Sequence, residues 1–433
     1  MDSSTRHIFI SIAAYRDLQL MPTVADCLAK ARYPELLRFG ICWQHGAEET
    51  SLPFADDPRF RVLDIHYRDS RGACWARSEI LKLWRGEDWL LQVDSHCRFA
   101  PGWDETMIQL ATESGSAKPI LTTYATPFVP GENEHLNNSP MLIAIGGFSK
   151  DGFPLLKPMP VPGWNHRTGL ERARFIAAGF LFAPGRFVQE IGYDPELYFF
   201  GEEIALTVRA FTHGYDLFHP CETLVWHDYV RKDATRHWDD HSETSDTGHV
   251  QQDWGALDRK SRAKVTRLLA GESVESYGLG AILSLREYEA YAGLSFQLRK
   301  VQTYTVRCGE PPNAEADPDW AASIYKWMVR IHFDRALLPQ QAFEAGCFWC
   351  VGVHDEIGAE IFRRDVQRAE LEALAGDEPT ILIVCELESA VLPMSWSIWP
   401  VSRSRGWLRR ISGNLAEDDY AVIDDEADSD EAS

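Results

Sequence analysis

The sequence predicts an α/β fold with a mostly parallel sheet, followed by a smaller β-rich region. Apolar runs typical of buried strands alternate with amphipathic segments typical of helices through the first hundred residues. Beyond Gly309 the pattern changes to β-rich runs. In addition, the apolar run that ends at Val93 leads directly into Asp94-Ser95-His96. Polar side chains therefore follow a strand end, where α/β sheets bind their ligands.

The strands of the first region are predicted from short apolar runs rich in Ile, Val and Phe. They cover residues 7–14, 37–44, 60–67, 89–93, 120–125, 176–182 and 224–229. Helices are predicted where apolar residues recur at helical spacing, at 22–30, 73–84, 101–112, 204–212, 254–269 and 277–299. Residues 128–169 are rich in Pro, Gly and Asn, and we expect a long loop that closes over a ligand.

The break at Gly309-Glu310-Pro311-Pro312-Asn313 predicts a linker. We expect a domain of residues 1–310, made of the α/β fold and a helical extension, and a β-rich accessory module of residues 311–415. The β-rich runs are 324–333, 347–353, 380–387 and 394–401. Residues 416–433 are rich in Asp and Glu and are expected to form an acidic disordered tail.

The composition is that of a globular protein, with 45% hydrophobic and 25% charged residues among 433. The formal net charge of −22 argues against a general nucleic-acid or anionic-membrane binder, because either would need a basic surface. We expect no signal peptide and no membrane helix, since the start is polar and every apolar run is short. Cys347 and Cys350 form a lone CxxC that is interpreted as buried thiols, and a reducing, cytoplasmic location is expected.

Asp94 and His96 are the first candidate ligands of a metal ion. Side chains one residue apart point the same way along a strand, so this carboxylate and imidazole can share a divalent cation. Mixed oxygen and nitrogen ligands suit Mn²⁺, whose other ligands would come from a diphosphate. The alternative is an aspartate that only caps the next turn. Candidates for a third ligand are His213, His219, His227, His237, His241 and His249, and His227 is preferred because it ends a short apolar strand.

Two further groups of charged residues precede predicted helices. Glu202 and Glu203 follow Gly201, and one of them could act on a sugar or an acceptor, whereas helix capping is the alternative role. Arg71 and Arg77 flank a helix start, where backbone N–H groups favour anions such as phosphate. Solvated salt bridges on the helix are the alternative for the arginines.

Six ordered blocks between Ile8 and Arg231 resemble the GlcNAc-transferase family, whose best-known members are cytoplasmic enzymes that add α-linked GlcNAc to a hydroxyproline. The resemblance implies a GT-A fold, UDP-GlcNAc as donor, a divalent cation and retention of configuration. The Asp-x-His motif (DXH) is also similar to that of polypeptide GalNAc-transferases, where a late histidine is the third ligand. The blocks are Ile8–Asp17, Leu37–Gln44, Arg71–Arg77, Gln92–Phe99 with Gly102-Trp103-Asp104, Ala177–Phe180 and Phe199–Glu203.

The resemblance also implies roles for individual residues. The metal ligands are Asp94, His96 and His227. Glu202 and Glu203 are the candidate catalytic carboxylates, with Glu202 also matching a donor-sugar contact. The substrate-binding residues implied by the resemblance are Ser11, Ala13, Tyr15 and Arg16 for the uridine, Arg77 for the diphosphate side, and Gly179 for the donor sugar. Arg71, from the helix-start argument, and Ser95, between the two predicted metal ligands, are further substrate-binding candidates.

The sequence therefore predicts a Mn²⁺-dependent retaining glycosyltransferase that moves GlcNAc from UDP-GlcNAc to a hydroxyl, expected to lie on a protein. One alternative is the same fold with UDP-GalNAc or UDP-Glc as donor. Another is a non-catalytic nucleotide-sugar or protein-binding protein, and a third is a zinc hydrolase using the histidines of residues 233–252. The acceptor, the oligomeric state, the role of the β-rich module and the choice between double displacement and a front-face mechanism stay open.

Overall fold

The structure is a computed structural model of the chain. It describes residues 6–47, 51–54, 56–131, 138–149, 151–231, 234–241, 253–274, 276–313, 320–321, 325–344, 346–366, 370–371, 373, 379–389, 391–402 and 405–422. These residues form two compact units. Unit 1 draws its described residues from 1–143, 158–292 and 310–313, and unit 2 from 144–157, 293–309 and 314–433. The domain boundaries predicted from the sequence stay a prediction.

The described strands are numbered β1 to β24 along the chain. They are Ile8–Tyr15, Leu37–His45, Phe60–His66, Trp89–Asp94, Cys97–Phe99, Pro119–Thr122, Thr126–Pro127, Met141–Phe148, Pro154–Pro160, Leu170–Arg172, Phe180–Pro184, Asp216–Pro220, Val225–His227, Leu294–Ser295, Lys300–Gln302, Trp320–Ala321, Tyr325–Asp334, Cys347–His354, Glu360–Val366, Thr380–Ser389, Ser395–Ser402, Gly406–Trp407, Ile411–Asn414 and Tyr420–Val422.

The described α-helices are numbered α1 to α9 in the same way. They are Leu20–Lys30, Ala73–Leu81, Trp103–Glu113, Phe187–Glu190, Glu202–Thr212, His237–Asp240, Trp254–Leu269, Leu285–Ala292 and Thr303–Val306. No helix in these parts of the chain combines the length and the apolar character needed to cross a membrane.

Unit 1 contains an eight-stranded sheet in the order β10-β12-β6-β11-β4-β1-β2-β3. The strands β4, β1, β2 and β3 run parallel, as do β6 and β12, whereas β11 is antiparallel to both of its neighbours. The predicted α/β class with a mostly parallel sheet is therefore confirmed. The core on one side of the sheet packs Ile10 and Ile12 of β1 against Met107 and Trp103 of α3. These apolar strands are buried because helices cover a parallel sheet.

The sheet positions several polar residues at one edge. Tyr15 ends β1 and Asp94 ends the neighbouring parallel strand β4, so both lie at carboxyl ends. A small second sheet has the strand order β5-β13-β7, and its strand β5 follows β4 in the chain after two residues. In it, β13 pairs antiparallel with β5 and places His227 opposite Cys97. A residue 133 positions after Asp94 is thereby brought beside the end of β4.

Most strands of two five-stranded sheets, and a small three-stranded sheet, lie in unit 2. One larger sheet has β17 paired with β20, and the other has β18 between β19 and β21. Alternate residues of both sheets contribute to one core, including Val329, Ile383, Trp349, Val351 and Ile398. The period of two in these strands explains the shared core. The predicted β-rich C-terminal region is confirmed.

Three sequence expectations were wrong in part. The expected long loop at 128–169 contains β8 and β9, which are neighbours in a sheet, because residues 141–148 form a continuous apolar run. The expected helix at 277–299 is helical only at Leu285–Ala292. Within the segment expected to be a disordered acidic tail, Tyr420–Val422 pairs with β17, while residues 423–433 lie outside the described residues.

We predict that unit 1 loses stability as the pH falls from about 6.5 to about 4. Burial lowers the pKa of His219 from 6.5 to about 4, and burial does the same for His96. The unfolded chain then takes up these protons first, so the stabilising effect of the neutral imidazoles is complete above pH 6.5 and is lost through pH 4. The free energy of unfolding in urea, measured at several pH values, tests this.

A variant pair identifies the source of the pH dependence. Nδ1 of His219 lies 2.6 Å from the Thr122 carbonyl oxygen, and Nε2 accepts from the Ile143 N–H at 3.3 Å. The neutral imidazole can make both bonds. His219→Gln should therefore reduce the pH slope, whereas His166→Gln, at an exposed position, should leave it unchanged. An equal slope in all three proteins would contradict the assignment.

Candidate active site

Asp94, His96 and His227 form a cluster at the end of β4. One candidate ligand atom from each lies within 4.8 Å of the others. Nε2 of His227 is 3.1 Å from Oδ2 of Asp94, and the two imidazole ring centroids are 4.5 Å apart. The three residues predicted as metal ligands are therefore brought together by the β4 end and the β5–β13 pair.

The protonation states suit cation binding. Burial by itself would raise the pKa of Asp94, but the hydrogen bond with His227 and the charge of Arg77 outweigh it, so the pKa is well below its usual range. Burial lowers the pKa of His96 to about 4. At neutral pH the cluster therefore offers an ionised carboxylate and a neutral imidazole from His96, and this donor set fits a divalent ion such as Mn²⁺.

Gly179 is the residue before β11 and lies beside this cluster. β11 is antiparallel to β4, with Phe180 opposite Val93, so Gly179 lies across from the end of β4. A Cβ atom at Gly179 would lie 3.0 Å from Oδ2 of Asp94 and 4.0 Å from Cδ2 of His227. Any side chain here would occupy space beside the candidate ligand atoms, which explains the glycine.

Arg77 of α2 is buried behind Asp94. One terminal nitrogen donates to Oδ1 of Asp94 at 2.7 Å, and the other donates to Glu202 and to the Tyr193 hydroxyl. Arg77 therefore orients the Asp94 carboxylate. Its predicted contact with a diphosphate stays a prediction, as does the role of Arg71, which is exposed with its guanidinium 5.8 Å from the Trp75 ring centroid.

The two candidate catalytic carboxylates lie in different environments. Glu202 is buried and accepts from Arg77 and from the Tyr193 hydroxyl. Glu203 is partly exposed and accepts from the Tyr124 hydroxyl at 2.6 Å and from the Ala178 N–H at 2.9 Å. Burial raises the pKa of Glu203 to about 7, against the opposing effect of these two hydrogen bonds. Glu203 can thus change protonation near neutral pH.

Tyr15 and Arg16, at the end of β1, both contact Asp240. The Tyr15 hydroxyl donates to Asp240 at 2.7 Å, and Arg16 donates to both oxygens of the same carboxylate at 2.9 and 3.0 Å. The Arg16 guanidinium also lies 4.6 Å from the Tyr67 ring centroid. His237 packs beside Tyr15, with ring centroids 5.1 Å apart. These residues form a second polar group in unit 1.

The remaining predicted residues lie on β1, after β4 or elsewhere in unit 1. Ser11 is fully buried in the middle of β1, and Ala13 lies opposite Asp94 in the β1–β4 pairing. The Ser95 hydroxyl donates to Asp17 at 2.7 Å. Among the other candidate histidines, His213 contacts the Arg209 carbonyl oxygen, His219 lies in the core, and His241 stacks on His237. His249 lies outside the described residues.

Asp17 is a site residue that sequence reasoning missed. Its buried carboxylate is 2.7 Å from Nδ1 of His96 and 3.1 Å from the Arg231 guanidinium. Burial by itself would raise the pKa of Asp17, but the hydrogen bond from His96 and the charge of Arg231 hold it at about 2. The ionised Asp17 accepts a hydrogen bond from the Nδ1–H of His96, and this tautomer leaves Nε2 of His96 with a free lone pair.

The signal for Asp17 was present in the sequence. It follows Tyr15-Arg16 directly after β1, so the strand-end argument used for Asp94 applies to it as well. Arg231 and Tyr193 could not be found in this way, because their contacts depend on loops and on tertiary packing.

Known proteins provide a comparison. A family model described as glycosyltransferase (GlcNAc) matches residues 7–58 and 54–298, which is more than half of the chain. A search of curated proteins gave no match. The crystal structure of GalNAc-T7 with UDP, GalNAc and Mn²⁺ is 16% identical, with a TM-score of 0.42 over 65% of this chain and 54% of that chain.

A second solved structure is that of S. aureus TarS residues 1–349 in complex with UDP-GlcNAc. It is 12% identical, with a TM-score of 0.33 over 53% of this chain and 60% of that chain. The chain therefore spans only a little more than half the length of the structures it matches.

We predict that Asp17→Asn weakens cation binding by about 10- to 100-fold, the usual effect of losing a partner behind a metal-binding histidine. The amide can donate to Nδ1 of His96 and so favour the wrong tautomer. Isothermal titration with Mn²⁺ measures affinity, and ¹⁵N chemical shifts of the His96 ring report the tautomer. Asp94→Asn, which changes a ligand, serves as the non-binding reference.

Asp64→Asn is the matched control for this prediction. Asp64 contacts Nε2 of His45 at 2.9 Å in a similar carboxylate–histidine pair, but its side chain is 73% exposed and it lies on β3. It should leave Mn²⁺ affinity unchanged. Unaltered affinity and an unaltered His96 tautomer in Asp17→Asn would contradict the proposed effect.

Proposed function

The chain belongs to the glycosyltransferase (GlcNAc) family, and from this premise we propose that it is a metal-dependent retaining enzyme transferring GlcNAc from UDP-GlcNAc to a hydroxyl group on a protein. The observation that carries the proposal is the convergence of Asp94, His96 and His227 at the end of β4. A cluster of this kind, at the carboxyl edge of an α/β sheet, suits a diphosphate-bearing ligand.

These three residues would hold the divalent cation, proposed to be Mn²⁺. When bound, such an ion neutralises charge on a departing diphosphate. The protein's own contribution is orientation: Arg77 holds the Asp94 carboxylate at 2.7 Å, and Gly179 leaves the space in front of it open. Preorganised charges of this kind commonly supply the largest part of catalysis.

The uridine is proposed to bind near Tyr15 and Arg16, with Ser11 and Ala13 shaping the adjacent strand. Both polar side chains are engaged by Asp240 in this structure. Donor binding would therefore either include Asp240 as a partner or exchange its contacts for contacts with the nucleotide. Tyr229 is 46% exposed, its ring centroid lies 4.1 Å from that of His227, and its hydroxyl donates to the Ala125 carbonyl oxygen at 2.9 Å. The exposed part of its ring is proposed to contact the sugar or the acceptor.

Glu203 is the better of the two carboxylates for a chemical role. The Glu202 carboxylate accepts hydrogen bonds from Arg77 and the Tyr193 hydroxyl, so its proposed function is to position Arg77. Glu203 accepts from the N–H of Ala178, the residue before Gly179, and its pKa is raised to about 7. An ionised carboxylate at this position would serve retaining transfer either as a nucleophile or by stabilising positive charge on the sugar.

A donor panel tests the proposed function. Release of UDP from UDP-GlcNAc, UDP-GalNAc and UDP-Glc is measured with Mn²⁺ and with EDTA. We expect Mn²⁺-dependent turnover with UDP-GlcNAc as the fastest donor, and loss of turnover in Asp94→Asn. Faster turnover of another donor would support the alternative specificity. UDP-GlcNAc binding without turnover on any acceptor protein supplied would support a binding protein instead.

We predict that Glu203→Gln lowers the transfer rate by at least about 100-fold and removes the acid limb of the pH–rate profile. With a raised pKa of about 7, the wild-type carboxylate ionises only as the pH rises through 7, so the wild-type rate should rise there. Glu113→Gln, at an exposed position of α3, is the control. A wild-type rate and profile in Glu203→Gln would remove Glu203 from the chemistry.

A further inference from the structure

The exposed apolar side chains of unit 1 are concentrated beside the candidate active site. Among the residues that the structure describes in this unit, five large apolar or aromatic side chains are exposed: Leu18, Phe199, Tyr229, Val230 and Ile282. Leu18, Tyr229 and Val230 lie on the loops that follow β1 and β13, and both loops contact the cluster of candidate metal ligands. We call these three side chains the apolar rim. Single exposed apolar residues are ordinary, whereas three beside one site indicate a contact surface.

The loop after β1 holds Leu18 in a defined position. One carboxylate oxygen of Asp17, the preceding residue, accepts from Nδ1 of His96 at 2.7 Å, and the other accepts from the Gln19 N–H at 2.9 Å. The Leu20 N–H donates to the Asp17 carbonyl oxygen at 3.2 Å. The chain is therefore fixed on both sides of Leu18, although the Leu18 side chain is 76% exposed. Its burial under a ligand would be favourable.

The loop after β13 exposes two further side chains in the same way. The Asp228 carboxylate accepts from the N–H groups of Val230 and Arg231, each at 3.0 Å, and so fixes the turn. Val230 is nevertheless 51% exposed and Tyr229 is 46% exposed. The Tyr229 ring centroid lies only 4.1 Å from that of His227, so this apolar surface begins directly beside a candidate metal ligand.

An ion pair joins the two loops. The Arg231 guanidinium donates to Asp17 at 3.1 Å, and both side chains are largely buried. The Asp228 N–H also donates to the carbonyl oxygen of His96 at 3.0 Å. The loop that carries Leu18 and the loop that carries the rest of the apolar rim are therefore held to each other and to His96.

The charged groups around the apolar rim largely offset one another. Burial and the nearby Arg231 lower the pKa of Arg236. The carboxylates of Asp239, Asp17 and Asp228 lie close enough to act on Arg236 in the opposite direction. Because cations and carboxylates lie together here, a strongly charged partner gains little from this region. Burial of apolar surface is then the main interaction that the rim can offer.

The position of the apolar rim restricts what can cover it. Under the proposed function, an acceptor hydroxyl must reach a sugar held beside the cluster. Consecutive Cα atoms are about 3.8 Å apart, so the acceptor residues on either side of the hydroxyl-bearing residue stay close to that point. These are the residues that would meet the two loops bordering the cluster. A diphosphate or a ribose is polar and would gain little from contact with Leu18 or Val230.

We propose that the apolar rim binds the acceptor, and that the acceptor is a protein segment with apolar side chains on either side of its hydroxyl-bearing residue. The inference rests on the proposed function and adds the class of acceptor to it. The apolar neighbours of the hydroxyl-bearing residue would cover Leu18 and Val230, next to the exposed part of the Tyr229 ring.

The test uses the full chain, Mn²⁺, the UDP-sugar that is turned over fastest in the donor panel, and synthetic peptides. Each peptide has serine, threonine or hydroxyproline at its centre, flanked on both sides by leucine, serine, lysine or aspartate. Sugar transfer is followed by mass spectrometry. We expect kcat/KM for leucine-flanked peptides to exceed that for the other flanks by at least about tenfold, because the rim favours partners that bury apolar side chains.

Variants of the rim locate the preference. Leu18→Ser and Val230→Ser should each raise KM for the leucine-flanked peptide at least about fivefold with little change in kcat, the pattern of lost binding rather than lost chemistry. Their affinity for UDP with Mn²⁺, measured by isothermal titration, should equal that of the wild type, which shows that the adjacent cluster is intact. Ile282→Ser is the matched control: Ile282 is 64% exposed, and its N–H donates to Thr212 at the far end of α5.

The outcomes separate this inference from the proposed function. Equal transfer to all flanks, preference for a charged flank, donor hydrolysis without transfer to any peptide, or a wild-type KM in both rim variants would overturn the inference alone. So would a wild-type dimer, detected by light scattering, that dissociates in Val230→Ser, because a second copy would then cover the rim. Failure of the proposed function is different: no UDP-sugar is turned over, and Asp94→Asn binds UDP with Mn²⁺ as the wild type does.

Discussion

The candidate site depends on keeping the Asp94 carboxylate ionised and oriented at a strand end. Removing a charge from water is costly unless an opposite charge and hydrogen bonds compensate for it. Arg77 supplies that compensation, and Glu202 and the Tyr193 hydroxyl in turn occupy the other side of the guanidinium. The result is a chain of alternating charges that reaches from α5 through α2 to the end of β4. Each of these side chains is held by the next one, so the orientation of the Asp94 carboxylate depends on Arg77, Glu202 and Tyr193.

A second chain of the same kind supports His96. Arg231 and the Ser95 hydroxyl hold Asp17, and Asp17 holds Nδ1 of His96. The two chains meet at the cluster, one through the Asp94 carboxylate and one through the His96 imidazole. Because an aspartate with a pKa of about 2 stays ionised at neutral pH, the His96 tautomer is set before any ligand arrives. The local sequence Asp94-Ser95-His96 is thus a binding motif only within this wider network.

The sequence predicted the parts of the site that depend on strand periodicity. Asp94 and His96 were found because an apolar run ends beside them, and His227 was chosen among six histidines because a short apolar strand precedes it; the structure brings all three together. Periodicity carries no information about which distant strands pair, so the contact between Asp17 and Arg231 and the partners of Glu202 could not be predicted. The β8 strand was not predicted for a different reason: its apolar run lies among prolines and glycines, a composition that favours a loop.

Charge balance gives an independent argument for a cation. The proposed donor, a UDP-sugar, carries a negatively charged diphosphate, and it would approach a protein whose formal net charge is −22. Three arginines near the candidate site are already paired: Arg77 with Asp94 and Glu202, Arg231 with Asp17, and Arg16 with Asp240. Carboxylates already neutralise most of the positive charge of these arginines. A diphosphate would therefore have to compete with those carboxylates for the guanidinium groups. A divalent ion held by one carboxylate and two imidazoles retains a net positive charge, because only one of its three protein ligands is an anion. Under the proposed function, the choice of two histidines over further acids is therefore what leaves the bound ion able to attract a diphosphate.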